Sequence, residues 1–77
     1  MNKLTQNSMD KYVEDAWKIH TEINVDPRIK YRFSQCLYDV LPEDTLELID
    51  GTSKDFYYFS DDRVDEVMHI LYTELVG

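Results

Sequence analysis

Apolar residues fall along this chain in three stripes of helical period, separated by one stretch that breaks the period. Tyr12, Val13, Ala16, Trp17, His20 and Ile23 follow one another at steps of one, three and four, the spacing at which side chains share one helix face. Asn7-Ser8 precedes them as an N-cap signal, so the pattern predicts a helix over about residues 8–23. Asp26-Pro27 is a second start signal, because Asp satisfies orphan amides and Pro suits the first helical position. Ile29, Phe33, Cys36, Leu37 and Val40 then mark one face, predicting a second helix over about 27–40 that stops near Pro42. Val64, Val67, Met68, Leu71 and Leu75 form the last stripe, a helix over about 61–75 capped by Ser60 or Asp61.

The period changes after Pro42. Leu46 and Leu48 alternate with Thr45 and Glu47, and Asp50-Gly51 is a dipeptide that tolerates positive φ. The aromatic run Phe56-Tyr57-Tyr58-Phe59 suits a strand. A short β-hairpin is therefore expected, residues 45–49 against 55–59. The rival is a short helix over 43–49 that ends at Gly51 as its C′ residue, because Pro42-Glu43-Asp44 also reads as a helix start. The expected fold class is α+β, with two helices, a short hairpin and a C-terminal helix; the rival makes the chain all-α.

Seventy-seven residues suffice for a single acidic domain over 1–77 and not for two, because so small a core buries barely enough apolar surface to offset chain entropy. Such domains often draw stability from a disulfide, a metal or a second copy. The lone Cys36 makes no internal disulfide and no metal-binding pair, which leaves a homodimer as the remaining aid. No run approaches the roughly 20 apolar residues of a membrane span, and the first eight residues lack the apolar core of a secretory signal. The expected location is the cytoplasm.

Charge adds a second pattern. Residues 1–38 hold five acids and six bases, a net of +1, whereas residues 39–77 hold eleven acids and two bases, a net of −9. The excess negative charge of the chain, −8 in all, therefore lies in its C-terminal half. Such a half repels nucleic acid and anionic membranes and attracts a basic protein surface. Solubility needs charge, but it does not need the charge segregated.

Catalytic and metal signatures fail in turn. His20 and His69 belong to no His-Glu-x-x-His or Cys-His cluster. Asp65 and His69 stand at i, i+4 and read as a solvent-facing pair, since a stable metal site needs further ligands. Cys36 sits on an apolar stripe and reads as a small hydrophobe. With only Gly51 and Gly77 there is no phosphate loop, and no calcium-loop pattern occurs. No enzyme, cofactor or metal is expected.

A winged-helix DNA binder is the order of elements that two or three helices and a hairpin suggest, with Arg28, Lys30 and Arg32 opening the second helix. A pI near 4.4 speaks against direct contact with nucleic acid.

The acidic half makes better sense as a decoy for a groove built to hold phosphates. Acidic residues three or four apart on a helix hold their β-carbons about 5–6 Å from one another, and Glu47, Asp50, Asp55, Asp62, Asp65 and Glu66 are the candidates, with Tyr57 as an aromatic anchor and Tyr58 and Tyr72 in support. In this small size, in the −9 half and in the run Asp61-Asp62-Arg63-Val64-Asp65-Glu66, the chain resembles the small acidic host-takeover proteins of lytic bacteriophages, some of which mimic DNA. The resemblance covers the chain in character and no segment in diagnostic sequence. It implies a protein that works in the host cytoplasm and blocks the basic DNA-binding surface of a host protein, most naturally an HU-type nucleoid-associated protein, whose arms read backbone and bend more than bases. Asp44-Thr45-Leu46-Glu47 and Phe59-Ser60-Asp61-Asp62 carry a lesser similarity to small helical modulators of nucleoid proteins, which implies the runner-up: a protein–protein interaction module that binds through Tyr and Leu anchors.

Overall fold

The computed structural model describes residues 3–77. It contains four α-helices, and among the described residues no β-sheet: α1 (Gln6–Ile23), α2 (Phe33–Val40), α3 (Glu43–Leu46) and α4 (Val64–Glu74), the last entered through one 3₁₀ turn at Asp61–Arg63. The fold is all-α, and the expected α+β class is corrected. No helix among the described residues is long and apolar enough to cross a membrane.

The reason for the correction lies in the burial of three residues. In a strand, Leu46 and Leu48 would share one face. Instead Leu46 and Ile49 are buried and Leu48 is exposed, which is the i, i+3 step of a helix. The N–H of Glu47 accordingly bonds the carbonyl of Glu43 at 3.0 Å, and that of Asp50 the carbonyl of Leu46 at 3.1 Å. Gly51 ends the run with φ +73°, a backbone state that costs a residue with a β-carbon about 1–2 kcal/mol. The aromatic run is not a strand either. Phe56 is buried, Tyr58 is 83% exposed, and the Phe59 N–H turns back to the Phe56 carbonyl at 2.9 Å. Its carbonyls are met by side chains in place of a ladder: Ser34 Oγ lies 3.0 Å from the oxygens of both Tyr57 and Phe59, and an Arg32 amino group donates to Tyr57 at 3.2 Å.

α1 starts two residues earlier than the expected boundary because Thr5, and not Asn7 or Ser8, is its cap: Thr5 Oγ1 accepts the Ser8 N–H at 3.2 Å. The helix buries Met9, Val13 and Ala16. Its far end is closed by Asn24, whose side-chain amide donates to the carbonyls of His20 (2.8 Å) and Tyr31 (3.2 Å).

The second helix is shorter than expected, because Asp26-Pro27 begins a turn. Asp26 Oδ1 accepts the Arg28 N–H at 3.0 Å and the Ile29 N–H reaches the Asp26 carbonyl at 3.0 Å, a local closure that uses up the capping carboxylate. Arg28, Lys30 and Arg32 therefore stand before α2 and not on it. α2 begins at Phe33, where Gln35 Oε1 accepts the Arg32 N–H (3.1 Å) and the distant Asp61 Oδ1 accepts the Phe33 N–H (2.9 Å).

α4 follows its predicted stripe and buries Val67, Ile70 and Leu71. Neither Ser60 nor Asp61 caps it with a side chain; Ser60 Oγ donates to Asp62 instead. α1 packs on α2, and α4 lies against both, around a core that includes Phe33, Leu37, Phe56, Leu71 and Leu75. Each such side chain contributes about 1.5–3 kcal/mol by leaving water. An isolated parallel bridge joins Leu4 to Val76, with Leu4 N–H to Leu75 O at 2.8 Å and Gly77 N–H to Leu4 O at 3.1 Å.

Candidate acidic binding surface

The acids of the C-terminal half divide into those whose carboxylates already have a partner and those whose carboxylates do not. Asp55 belongs to the first group. It accepts the Tyr38 phenol at 2.5 Å and the Tyr57 N–H at 3.2 Å. Burial pushes its carboxyl up, but the Tyr38 hydroxyl and the N–H groups of Tyr57 and Gly51 outweigh that and hold it below the usual carboxylate range. Asp39 takes the phenol of Tyr31, and Asp10, from the N-terminal half, takes that of Tyr72. Asp61 bonds His20 and caps α2. Glu66 is bridged to Arg63 at 2.7 Å, and Arg63 lowers the Glu66 carboxyl from its ordinary value. The Arg63 guanidinium also lies 3.6 Å from the centre of the Phe59 ring.

The outward group centres on α3. Pro42, with extended backbone, leads into the helix, and Glu43 and Asp44 occupy its first turn, where the N-terminal end of the helix favours carboxylates. Glu43, Glu47 and Asp50 rim a groove of roughly 500 Å³ whose floor is Leu41, Leu46 and Tyr38. All three carboxylates and Asp44 are exposed. None of these four side-chain carboxylates accepts a hydrogen bond or an ion pair from a described residue.

Tyr38 joins this groove to the other candidates. Its hydroxyl meets Asp55, and its ring stands edge-on to Tyr57 with centroids 4.8 Å apart. Tyr57 in turn lies edge-on to Tyr58 at 4.9 Å. The structure thus gathers Glu47, Asp50, Asp55 and Tyr57 around one tyrosine. It does not bring Asp65 and Glu66 to the same place: they line a second groove, of roughly 390 Å³, with Lys54, Phe59, Arg63 and His69. There the acids share the surface with bases, and Asp62 is engaged by Ser60.

Sequence reasoning missed Glu43, Asp44 and Tyr38 as site residues. The signal for Glu43 was the helix start Pro42-Glu43-Asp44, which the hairpin reading set aside. Tyr38 carried no signal, because its phenol meets a residue 17 positions away.

The three bases ahead of α2 do not form a recognition helix. Arg28 is paired with Asp26 at 2.8 Å, and the Arg32 guanidinium lies 5.5 and 5.7 Å from the ring centres of Tyr57 and Tyr58. The wing expected of a winged-helix domain is not formed, since residues 45–59 make no hairpin. Cys36 is buried, and burial, with Asp39 and Asp61 nearby, pushes its thiol up to about 11, which leaves it protonated at neutral pH. Among the described residues no group of three or more His, Cys, Asp or Glu side chains stands in position to hold a metal ion.

In comparison with protein-family models, with curated proteins and with solved structures, the chain matches none of them.

Proposed function

We propose that this protein acts by binding, and that the α3 groove engages the basic DNA-binding surface of another protein, its carboxylates standing where phosphates would. The observation that supports this reading is the contrast between the two groups of acids. Asp55, Asp61 and Glu66 already have partners, whereas Glu43, Glu47 and Asp50 face water beside an apolar floor and Asp44 is exposed next to Glu43. Lone carboxylates at one edge of an apolar and aromatic patch suit Lys and Arg side chains, which lay their methylene stems on the floor and their charge on the rim. Glu43 and Glu47, one helical turn apart, hold their β-carbons about 5–6 Å from each other, a spacing on the scale of charges along a nucleic-acid backbone. An HU-type protein, whose arms hold DNA through basic side chains and shape, is the partner chosen for the test.

The test is displacement. A labelled DNA duplex bound to an HU-type protein is titrated with the purified chain at low and high salt, and anisotropy follows the release of DNA. The expected result is release at low salt that weakens steeply as salt rises. Glu43→Gln, Glu47→Gln and Asp50→Asn together abolish it, while Asp65→Asn leaves it unchanged. Absence of release overturns the mimic reading, and binding that survives high salt with DNA still held transfers the role to the runner-up, an interaction module anchored by apolar side chains.

A further inference from the structure

Trp17 is anchored on one face and open on the other. Its indole stacks on Phe33, with ring centroids 3.9 Å apart and planes 21° from parallel, yet 41% of the residue remains in water. It lines a groove of roughly 650 Å³ between α1 and α4, together with Val13 and Tyr72. A ring already held by its inner face loses little conformational freedom when its outer face is covered.

The charges of the groove select a cation. Asp10, Glu14 and Glu22 line it, against the single amine of Lys18. One oxygen of Asp10 takes the Tyr72 phenol. Glu14 and Lys18 approach only to 4.0 Å, both well exposed, and the exposed Glu22 carboxylate has no partner among the described residues. An excess of carboxylates beside the negative face of an indole attracts positive charge from two sides at once.

The molecule itself shows which cation such a setting holds. Arg63 lays its guanidinium 3.6 Å from the centre of the Phe59 ring and also donates from Nε and Nη2 to the two carboxylate oxygens of Glu66, at 3.2 and 2.7 Å. A planar guanidinium meets a ring with its face and a carboxylate with its edge, which an ammonium, a point charge, does not do. In the Trp17 groove the ring and the carboxylate are both present, because Glu14 and Trp17, three residues apart on α1, are neighbours on the helix surface. Among the described residues no arginine lines that groove.

From these observations we infer that the Trp17 groove is a docking site for an arginine side chain on a basic segment of a partner protein, the guanidinium lying on the open face of the indole and pairing with Glu14. Asp10 and Glu22 favour further bases in the same segment. The inference stands apart from the acidic surface on α3.

Trp17 is the only tryptophan in the chain, so its emission, excited where tyrosine does not absorb, reads this groove directly. The purified chain is titrated at moderate salt with a blocked tetrapeptide of two leucines and two arginines, then with the same peptide carrying lysine in place of arginine; circular dichroism verifies that each variant is folded. The arginine peptide is expected to change the emission saturably, and the lysine peptide to bind about threefold more weakly, the difference being the stacking of a planar cation on an exposed ring. Glu14→Gln is expected to weaken binding about twofold to fivefold, and Lys18→Gln, which frees Glu14 of a competitor, to tighten it. The triple α3 variant, which is expected to release no DNA, still gives this titration, so the two grooves succeed or fail separately. The proposal is overturned by an emission that does not change, by arginine and lysine peptides of equal affinity, by Glu14→Gln and Lys18→Gln acting in the same direction or not at all, or by loss of the titration in the α3 variant.

Discussion

Oδ2 of Asp61 lies 2.9 Å from Nε2 of His20, a residue 41 positions earlier in the chain, and its Oδ1 accepts the N–H of Phe33 at 2.9 Å. One carboxylate thus joins the end of α1, the start of α2 and the entry to α4. Asp61→Ala removes both acceptors and leaves the first N–H of α2 without its cap. A loss of about 1–2 kcal/mol is expected, read as a lower urea midpoint with unchanged slope. Asp62→Ala, whose partner is the exposed Ser60, should leave the midpoint almost unmoved.

Three tyrosines donate their phenols to carboxylates: Tyr31 to Asp39, Tyr38 to Asp55 and Tyr72 to Asp10. Asp39 raises the Tyr31 phenol to about 12, chiefly through the hydrogen bond. Burial, then Asp10, raises that of Tyr72 to about 12. Tyr38 is raised as well, by burial first and then by Asp55. A group whose folded pKa exceeds its unfolded value, about 10 for tyrosine, stabilises the fold fully below that value and loses its contribution as pH rises through the folded one. Urea midpoints should therefore fall between pH of about 10 and about 12. The fall should be shallower in Tyr31→Phe and Tyr72→Phe, whose midpoints at neutral pH are lower from the start.

Asp55 has the opposite sign. Its lowered carboxyl stabilises the fold above the ordinary Asp value of about 3.9, and this contribution is lost as pH falls through the lower, folded value. Asp55→Asn should cost about 1 kcal/mol at neutral pH, the worth of a charged hydrogen bond discounted for partial exposure. The difference between wild type and variant should shrink in acid, as measured by denaturant titrations at descending pH.

Gly51, at φ +73°, has open space around the position of a β-carbon. Gly51→Ala therefore carries only a backbone penalty, about 1 kcal/mol, with no clash to relax. Asn, which tolerates this region better, should recover part of the loss. Thermal unfolding of the three proteins distinguishes these values.

The long helices were legible because their apolar stripes recur over several turns, and α4 follows Val64, Val67 and Leu71 as the pattern implied. The segment after Pro42 was not, because Leu46 belongs equally to a strand pair with Leu48 and to a helix pair with Ile49. Four residues of helix are too few for either period to assert itself. The start of α2 was misplaced for a different reason: its cap comes from Asp61, 28 positions away, while the nearby Asp26 spends its carboxylate on its own turn. The candidate site divided along the same line. Glu47 and Asp50 remain unpaired on the surface, whereas Asp55 is held by a phenol 17 positions away that no local spacing could assign to it, and Glu66 by a guanidinium at i, i+3 that the spacing did offer.

The bridge between Leu4 and Val76 has a consequence for the order in which the chain folds. It closes a loop of nearly the whole described sequence, and the entropy of closure grows with loop length. α1 and α2 are neighbours along the chain and can pair across a short connection, so their contact is the natural nucleus. The bridge becomes cheap only after α4 has docked on that pair and brought Leu75 beside Leu4. Substitutions in the α1–α2 contact should therefore slow folding, whereas Leu4→Ala should act almost wholly by speeding unfolding.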